Sequence, residues 1–206
     1  MPRTLRSVLF MATVCAVCTA VPAMVRAATS RRVEALERLA TYRNVLSILA
    51  IPVDHGHPAA VESVFIACVR EQVIGGRTFW FGLEAPAVGV VAFAVRGPGF
   101  WGPIHGIVAV SENDHRIVGI LFTRHEETPG LGGRIREPWF GEQFHGITLD
   151  PHRQGPLVRL IRQGSREHAW DVDAITGATE TSKKIQSLFD SDVRQALLTL
   201  SEAGRS

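Results

Sequence analysis

The hydrophobic pattern begins with an uncharged stretch near the N-terminus. Residues Ser7 to Val25 contain no charged side chain, and Arg3 and Arg6 precede them. A helix of about 20 apolar residues can cross a bilayer. The sequence Val25-Arg26-Ala27 also resembles a small-residue cleavage site. Residues 1–29 are therefore expected to be a membrane anchor or a signal peptide, and either would send the rest of the chain across a membrane.

Beyond this stretch the pattern changes to a helical period and then to short alternating runs. Apolar residues recur at helical spacing from Ser30 to Ala50, and Pro52 to Pro58 interrupts them, so residues 30–58 are expected to form a helical linker. Short apolar runs bounded by turn residues follow, which is typical of strands. The predicted strands are Val61–Val69, Arg77–Leu83, Gly89–Val95, Ile107–Val110, Arg116–Thr123 and Leu157–Ile161.

The chain ends in a predicted amphipathic helix followed by Gly204 as a stop signal. Its apolar positions are Ile185, Leu188, Phe189, Val193, Leu197 and Leu200. Taken together, the elements predict an α+β fold. Residues 59–206 are expected to form a compact domain with a mostly antiparallel sheet and flanking helices, preceded by one N-terminal hydrophobic helix.

The composition and the motifs of the sequence argue against several classes of function. A net charge of +2, without a basic stripe, argues against a nucleic-acid partner. Three cysteines do not make a disulfide framework, and Cys15 and Cys18 lie in the apolar N-terminal stretch. The pair His55 and His57 lacks a third ligand at metal-binding spacing, so no metal site is predicted. No motif of a hydrolase or a metalloprotease is present, and no catalytic residue is assigned.

Candidate chemistry is concentrated where the last helix begins. The segment from Asp173 to Thr179 reads Asp-Ala-Ile-Thr-Gly-Ala-Thr, and Thr179, Thr181 or Ser182 can each serve as the N-cap. A helix start presents free backbone N–H groups and the positive end of the dipole, which suits a phosphate. Taken from the residues alone, the segment is equally an ordinary capped helix entered through a glycine turn.

A second glycine-rich segment runs from His125 to Gly133. It reads His-Glu-Glu-Thr-Pro-Gly-Leu-Gly-Gly, so Pro129 fixes one dihedral angle and Gly130 accepts a positive φ in a sharp turn. Backbone groups in such a loop can hydrogen-bond the edge of a planar ring, and Leu131 can cover its face. The alternative is an ordinary glycine turn without a ligand.

These two segments resemble the signatures of the FMN-binding domain family. Asp-x-x-Thr-Gly-Ala-Thr is similar to the family's flavin-attachment motif, and Glu-Thr-Pro-Gly-Leu-Gly is similar to its signature loop. The two occur in the family's order, about fifty residues apart, and the resemblance covers roughly Val45 to Leu200. The family includes the C subunit of the sodium-translocating NADH:quinone reductase and the G subunit of the Rnf electron-transport complex.

The resemblance assigns roles to individual residues. It implies that Thr179 carries FMN through a phosphoester bond made by a dedicated flavin transferase. The residues that the transferase reads, and that let the phosphate lie against the backbone, would be Asp173, Thr176, Gly177 and Ala178. The residues bordering the flavin ring would be Glu127, Thr128, Gly130 and Leu131. A similar glycine–aromatic segment in the family implies that Trp101 lies near the ring, although packing in a loop is its ordinary role.

The resemblance also implies function and location. The chain is expected to be a single-pass protein of the inner membrane, anchored by its N-terminal helix, with the flavin domain on the periplasmic side. It would carry electrons as a subunit of an Rnf-type or NADH:quinone-reductase-type complex, with the other membrane subunits as partners. A flavin domain serving another electron chain and a non-redox binding module remain alternatives.

The chain departs from the family's pattern at two positions, with Thr176 in place of serine and Glu180 in place of an apolar residue.

Overall fold

A computed structural model describes residues 3–54 and 56–204, so the His55 half of the histidine pair lies outside the described residues. The contacts divide the chain into two units, one up to Thr41 and one from Tyr42 onward. The first unit belongs to α1, which runs from Arg3 to Ile48. Within α1 the stretch Thr4–Ile48 is long and apolar enough to cross a membrane, by length and composition alone. The helix expected between Ser30 and Ala50 is therefore present as part of α1.

A five-stranded antiparallel sheet organises the second unit. The strands follow each other in chain order across it, each paired with the next, which confirms the mostly antiparallel sheet predicted from sequence. They are β1 (Val69–Ile74), β2 (Arg77–Gly82), β3 (Val90–Pro98), β4 (Pro103–Ser111) and β5 (Ile117–Arg124). One face of the sheet is lined by large buried side chains such as Phe79, Phe93 and Phe122, which form the core.

One predicted strand is wrong. The run from Val61 to Val69 was expected to be extended, but residues Pro58–Cys68 form helix α2. Pro58 occupies the start of this helix, where its missing N–H costs nothing, and Ala59 and Ala60 follow it. Val61 and Phe65, four residues apart, are the buried positions. A short apolar run fits either period, and here tertiary packing selects the helical one.

The C-terminal part of the chain covers the core. A 3₁₀ turn and a short helix α3 are followed by two short parallel strands and then by a helical segment interrupted by one π-helical turn. These elements are the 3₁₀ turn Gly132–Arg136, α3 (Pro138–Glu142), β6 (Arg159–Ile161), β7 (Asp171–Asp173), α4 (Thr179–Leu188), the π turn Phe189–Val193 and α5 (Arg194–Ala203). Helix α4 lies so close to β3 that a Cβ added to Gly97 would stand 3.0 Å from the Cβ of Leu188.

The β7 strand is fixed by an ion pair. The buried carboxylate of Asp171 accepts hydrogen bonds from Arg159 Nε and Nη2, both at 2.9 Å, and from the backbone N–H groups of Glu167 and His168. These contacts, with the Arg159 guanidinium first among them, hold the pKa of Asp171 well below its usual range. Because β7 leads directly into the segment from Asp173 to Thr179, the pair positions that segment.

We expect Asp171→Asn to lower the free energy of unfolding by about 1–2 kcal/mol at neutral pH, since it weakens several hydrogen bonds to a charged group. A carboxylate whose pKa is depressed by folding stabilises above its unfolded pKa, and this contribution is lost as the pH falls toward the folded pKa. Urea unfolding of both proteins between pH 7 and pH 3 checks this, because the deficit of the variant should shrink below about pH 4. A deficit that stays constant over this range would contradict the assignment.

Candidate functional site

Three segments that are distant in sequence meet at one place on the second unit. They are the β3–β4 turn Gly99–Gly102, the loop Glu127–Gly133 that follows β5, and the start of α4 at Thr179. The side chain of Glu127 connects all three. Its Oε1 accepts the backbone N–H of Phe100 at 2.7 Å and that of Trp101 at 3.3 Å. Its Oε2 accepts the hydroxyl of Thr181 on α4 at 2.6 Å.

Glu127 is buried, with 4% of its surface exposed, although it is an ionisable side chain. Burying a carboxylate is costly unless hydrogen-bond donors surround it, and here both oxygens have donors. The structure directs its carboxylate into the protein, where it joins the three segments. The position of Glu127 beside a flavin ring stays a prediction.

The loop after Glu127 folds into the expected turn. The backbone oxygen of Thr128 accepts the N–H of Leu131 at 3.2 Å and that of Gly133 at 2.9 Å, and Gly130 has a φ of 75°. Thr128, Gly130 and Leu131 are exposed. Gly132 faces inward, where an added Cβ would lie 2.4 Å from Thr181 Oγ1, so only glycine fits at this position.

The segment before α4 packs against this loop. Gly177 has a φ of 80°, and a Cβ added there would stand 3.2 Å from Leu131 Cδ2. The loop and the segment from Asp173 to Thr179, here called the attachment segment because the resemblance predicts flavin attachment there, are therefore in contact through this pair. Thr176 and Thr179 are exposed beside them, and Ala178 is 7% exposed.

The predicted N-caps of α4 are wrong. Helix α4 begins at Thr179, and its N-cap is Ala178, which offers no side-chain hydrogen bond. Thr181 and Ser182, the third and fourth residues of the helix, are buried, and their hydroxyls bind other groups. Thr181 Oγ1 donates to Glu127, whereas Ser182 Oγ donates to the oxygen of Ala178 and accepts the N–H of Ile175. No side chain of the described residues therefore makes a capping hydrogen bond at the N-terminus of α4.

Asp173 anchors the beginning of the segment. Its Oδ2 accepts from Arg166 Nη2 at 2.9 Å, and its Oδ1 accepts the N–H of Gly164 at 3.3 Å. The amide of Gln143 binds the backbone on both sides, accepting the N–H of Asp173 at 3.0 Å and donating to its oxygen at 3.4 Å. Sequence reasoning missed Gln143 and Arg166, since neither belongs to a motif.

Aromatic side chains border the site at the β3–β4 turn. Phe100 is 52% exposed and Trp101 is 66% exposed, and their rings meet edge to face with centroids 5.1 Å apart. The hydrogen bonds from their backbone N–H groups to Glu127 fix this turn next to the loop. In contrast, Phe140 and Phe144, further along the chain, are fully buried and serve only in packing.

The glycine at the contact point gives a test of this geometry. We expect both Gly177→Ala and Gly130→Ala to lose about 1–2 kcal/mol of stability, because both positions have a positive φ that alanine adopts poorly. Only at Gly177 does the new methyl group meet a neighbour, Leu131; nothing lies within 4 Å at Gly130. The larger loss in urea unfolding should therefore belong to Gly177→Ala. Equal losses would mean that Leu131 does not rest on Gly177.

The arrangement suits a phosphate-bearing, planar ligand. The hydroxyl of Thr179 is exposed at a helix N-terminus that no side chain caps, and that end favours an anion. Beside it, Leu131 with 44% exposure, Trp101 and Phe100 offer apolar surface to a ring. Among residues 3–54 and 56–204, no group of three histidine, cysteine, aspartate or glutamate side chains is placed to hold a metal ion.

Comparisons with known proteins identify relatives of the part of the chain that contains these segments. Residues 99–191 match the family model described as FMN-binding domain. The chain is 33% identical over 107 residues to the C subunit of the Na(+)-translocating NADH-quinone reductase of Vibrio vulnificus, a match that covers 50% of this chain and 41% of that protein. It is 36% identical over 109 residues to the same subunit of Neisseria meningitidis, covering 52% of this chain and 41% of that protein. The chain thus spans less than half the length of these relatives.

Two solved structures share the fold. The crystal structure of Shewanella oneidensis NqrC superposes with a TM-score of 0.69 at 19% identity, covering 81% of this chain and 97% of that one. The C subunit of the Na(+)-translocating NADH-quinone reductase from Parabacteroides distasonis superposes with a TM-score of 0.68 at 20% identity, covering 81% and 94%.

The fold and the site define an α+β domain with an exposed hydroxyl at an open helix N-terminus. Both signature segments lie within the matched residues, 99–191. Through these residues the chain matches the FMN-binding domain family model, and it is similar to the C subunits named above.

Proposed function

We propose that this chain is a membrane-anchored electron carrier that holds FMN covalently on Thr179. The bond would be a phosphoester between the flavin phosphate and the threonine hydroxyl, made by a flavin transferase. The observation that carries the proposal is the contact between the two signature segments, with Leu131 against Gly177 and Glu127 bonded to Thr181 beside the exposed hydroxyl. FMN, when bound, supplies the redox chemistry by accepting and passing on electrons.

The residues of the chain would bind and orient the cofactor. The first turn of α4 places backbone N–H groups and the positive end of its dipole next to the phosphate. The thin backbone at Gly177 lets the phosphate approach, and Leu131 with Trp101 offers apolar cover to the ring. Asp173, Gln143 and Arg166 hold the segment that presents Thr179. Glu180 pairs with Lys183 at 2.7 Å, which offsets its negative charge near a phosphate.

For partners, the relatives point to a membrane complex. The matched proteins of Vibrio and Neisseria are named as subunits of a sodium-translocating NADH-quinone reductase. We infer that this chain works as a subunit of such a complex, anchored by the apolar helix α1, with the flavin domain outside the cytoplasm.

Intact mass spectrometry of the chain purified from membranes tests the proposal. Co-expression with a flavin transferase should add the mass of one FMN less one water, and digestion should locate this mass on the peptide containing Thr179. The yellow colour and the fluorescence of the flavin should remain with the protein after denaturation, because the bond is covalent. An unmodified mass despite an active transferase would remove covalent flavin from the function of this chain.

A further inference from the structure

A row of basic side chains crosses three strands on the sheet face that points away from α4. The strand register pairs Arg96 of β3 with His105 of β4, and His105 with Arg124 of β5. The register shifts between His105 and Gly106, which pairs with Phe122, so Arg124 lies on the face opposite to Phe122 although only one residue separates them. Residues paired across strands point to the same face. The next pair along, Gly97 and Ile104, faces the core: Ile104 is fully buried, and an added Cβ at Gly97 would touch Leu188. Arg96, His105 and Arg124, here called the cationic row, therefore lie on the opposite face.

Neither arginine of the row has an ion-pair partner for its guanidinium among the residues that the structure describes. Both are exposed, and in the described parts of the chain, 3–54 and 56–204, neither guanidinium takes part in an ion pair or a side-chain hydrogen bond. Strand spacing separates them by about 10 Å, close to one Debye length in physiological salt, so their fields add. Burial, and then the charges of Arg96 and Arg124, lower the pKa of His105 between them.

The positive region continues past the end of β5. Arg136 is exposed and also without an ion pair in that described set. Burial, and then the charge of Arg136, lower the pKa of His125. Glu126 is the neighbouring exposed carboxylate, and it lies against Gly102. Two further carboxylates lie nearby: Asp192 accepts the backbone N–H of Arg96 and pairs with Arg77, and Glu137 pairs with Arg134. Because each of these is balanced by its own arginine, the three arginines without an ion pair outnumber Glu126, and this end of the domain is positive.

The cationic row lies next to the exposed aromatic turn. Arg96 and His105 are two residue pairs below the end of the β3–β4 ladder, and Phe100 and Trp101 form the turn itself. Exposed aromatic residues together with arginines are the side chains enriched at the centres of protein interfaces. Unpaired like charges lower the stability of a monomer, whereas an acidic partner would turn them into favourable contacts.

We propose that the cationic row and the aromatic turn together form the docking surface for an acidic redox protein. This surface rests on the proposed function, because the turn also borders the site proposed for FMN. Electrostatic steering by the row would bring the partner to this edge of the domain and speed the encounter. The matching chemistry is a protein that presents a cluster of carboxylates around its own redox centre.

A plant-type ferredoxin, which is acidic and donates single electrons, serves as the probe. The full chain carrying FMN is studied in a nonionic detergent. Two reduced ferredoxin molecules supply the two electrons that reduce one FMN, with protons from solvent, and stopped-flow absorbance follows the loss of flavin colour. Binding of oxidised ferredoxin is measured separately by calorimetry, which needs no electron transfer.

We expect the second-order rate constant to fall about tenfold or more from roughly 20 mM to roughly 300 mM salt. Arg96→Gln/Arg124→Gln should lower the low-salt rate about tenfold, flatten the salt dependence, and weaken binding to a similar degree. The control Arg70→Gln/Arg162→Gln removes the same charge from two other exposed arginines and should change both quantities less than about twofold. Binding of cytochrome c, a basic redox protein, should be unchanged or strengthened when Arg96 and Arg124 are replaced.

The outcomes separate the surface from the function. If the two double variants slow flavin reduction equally, or if neither variant changes its rate, the docking surface is overturned and the proposed electron-carrier function is left in place. Charge-dependent ferredoxin binding without flavin reduction supports the surface and removes the carrier function. If the row serves an anionic membrane instead, its variant will lose cosedimentation with phosphatidylglycerol vesicles while ferredoxin binding stays unchanged, and that result also overturns the proposal.

Discussion

Replacing Thr179 with valine is expected to give a folded chain without any covalently bound flavin. Valine keeps the shape of threonine and removes only the hydroxyl. The side chain is exposed and its hydroxyl makes no hydrogen bond within the described residues, so the free energy of unfolding should change by less than about 0.5 kcal/mol. Intact mass and fluorescence after denaturation, following co-expression with the transferase, measure the loss.

The matched control is Thr148→Val, which removes an exposed threonine hydroxyl far along the chain from the attachment segment. It should take up flavin as the unchanged chain does. A flavin-bearing Thr179→Val protein, with the added mass on Thr176 or on another residue, would show that the hydroxyl at the helix start is not the attachment point. Loss of flavin in both variants would trace the effect to expression or to the transferase.

The second large effect is expected from Glu127→Ala. This change removes the acceptor of three hydrogen bonds and leaves the N–H groups of Phe100 and Trp101 and the hydroxyl of Thr181 without it. Hydrogen bonds to buried charged groups contribute roughly 1.5–3 kcal/mol each, and they are not additive. We expect the free energy of unfolding to fall by about 3 kcal/mol in urea titrations, and the absorbance of bound flavin to change, since the aromatic turn is released.

Glu126→Ala is the internal control, because it removes the adjacent, exposed glutamate. Its effect on stability should stay within about 0.5 kcal/mol. A double-mutant cycle with Thr181→Val then isolates the bond at 2.6 Å between Thr181 and Glu127. A coupling energy of at least about 0.5 kcal/mol is expected for a direct contact. Additive effects would mean that Glu127 does not hold α4 to the loop.

Part of this architecture follows from local chemistry and is readable in the sequence. Gly130 and Gly177 occupy left-handed backbone positions, as their turn contexts predict, because only glycine adopts positive φ without strain. The hairpin strands β4 and β5 and the long N-terminal helix also follow from local periodicity. The resemblance of the two signature segments to one family predicts a shared site near Thr179, and the structure brings the segments together at Gly177 and Leu131.

Other features depend on packing that no local pattern encodes. The apolar run at Val61 fits a strand or a helix, and burial of Val61 and Phe65 on one side decided for the helix α2. Thr181 and Ser182 have good capping chemistry, yet the fold buries them and leaves α4 uncapped at Ala178. A cap depends on where the preceding chain turns, and here the chain turns at Gly177, which lies next to Leu131.

The sequence by itself determined the class of fold and the glycine turns, since these follow from residues close together in the chain. The hydroxyl proposed to bear the cofactor was assigned by the resemblance of its motif to the FMN-binding domain family. Only the tertiary structure decided the inward role of Glu127 and the alignment of Arg96 with Arg124. Both arise from side chains about 30 to 50 residues apart that strand register and helix packing bring together. The spacing of residues in the sequence does not predict such contacts, because they depend on the whole fold.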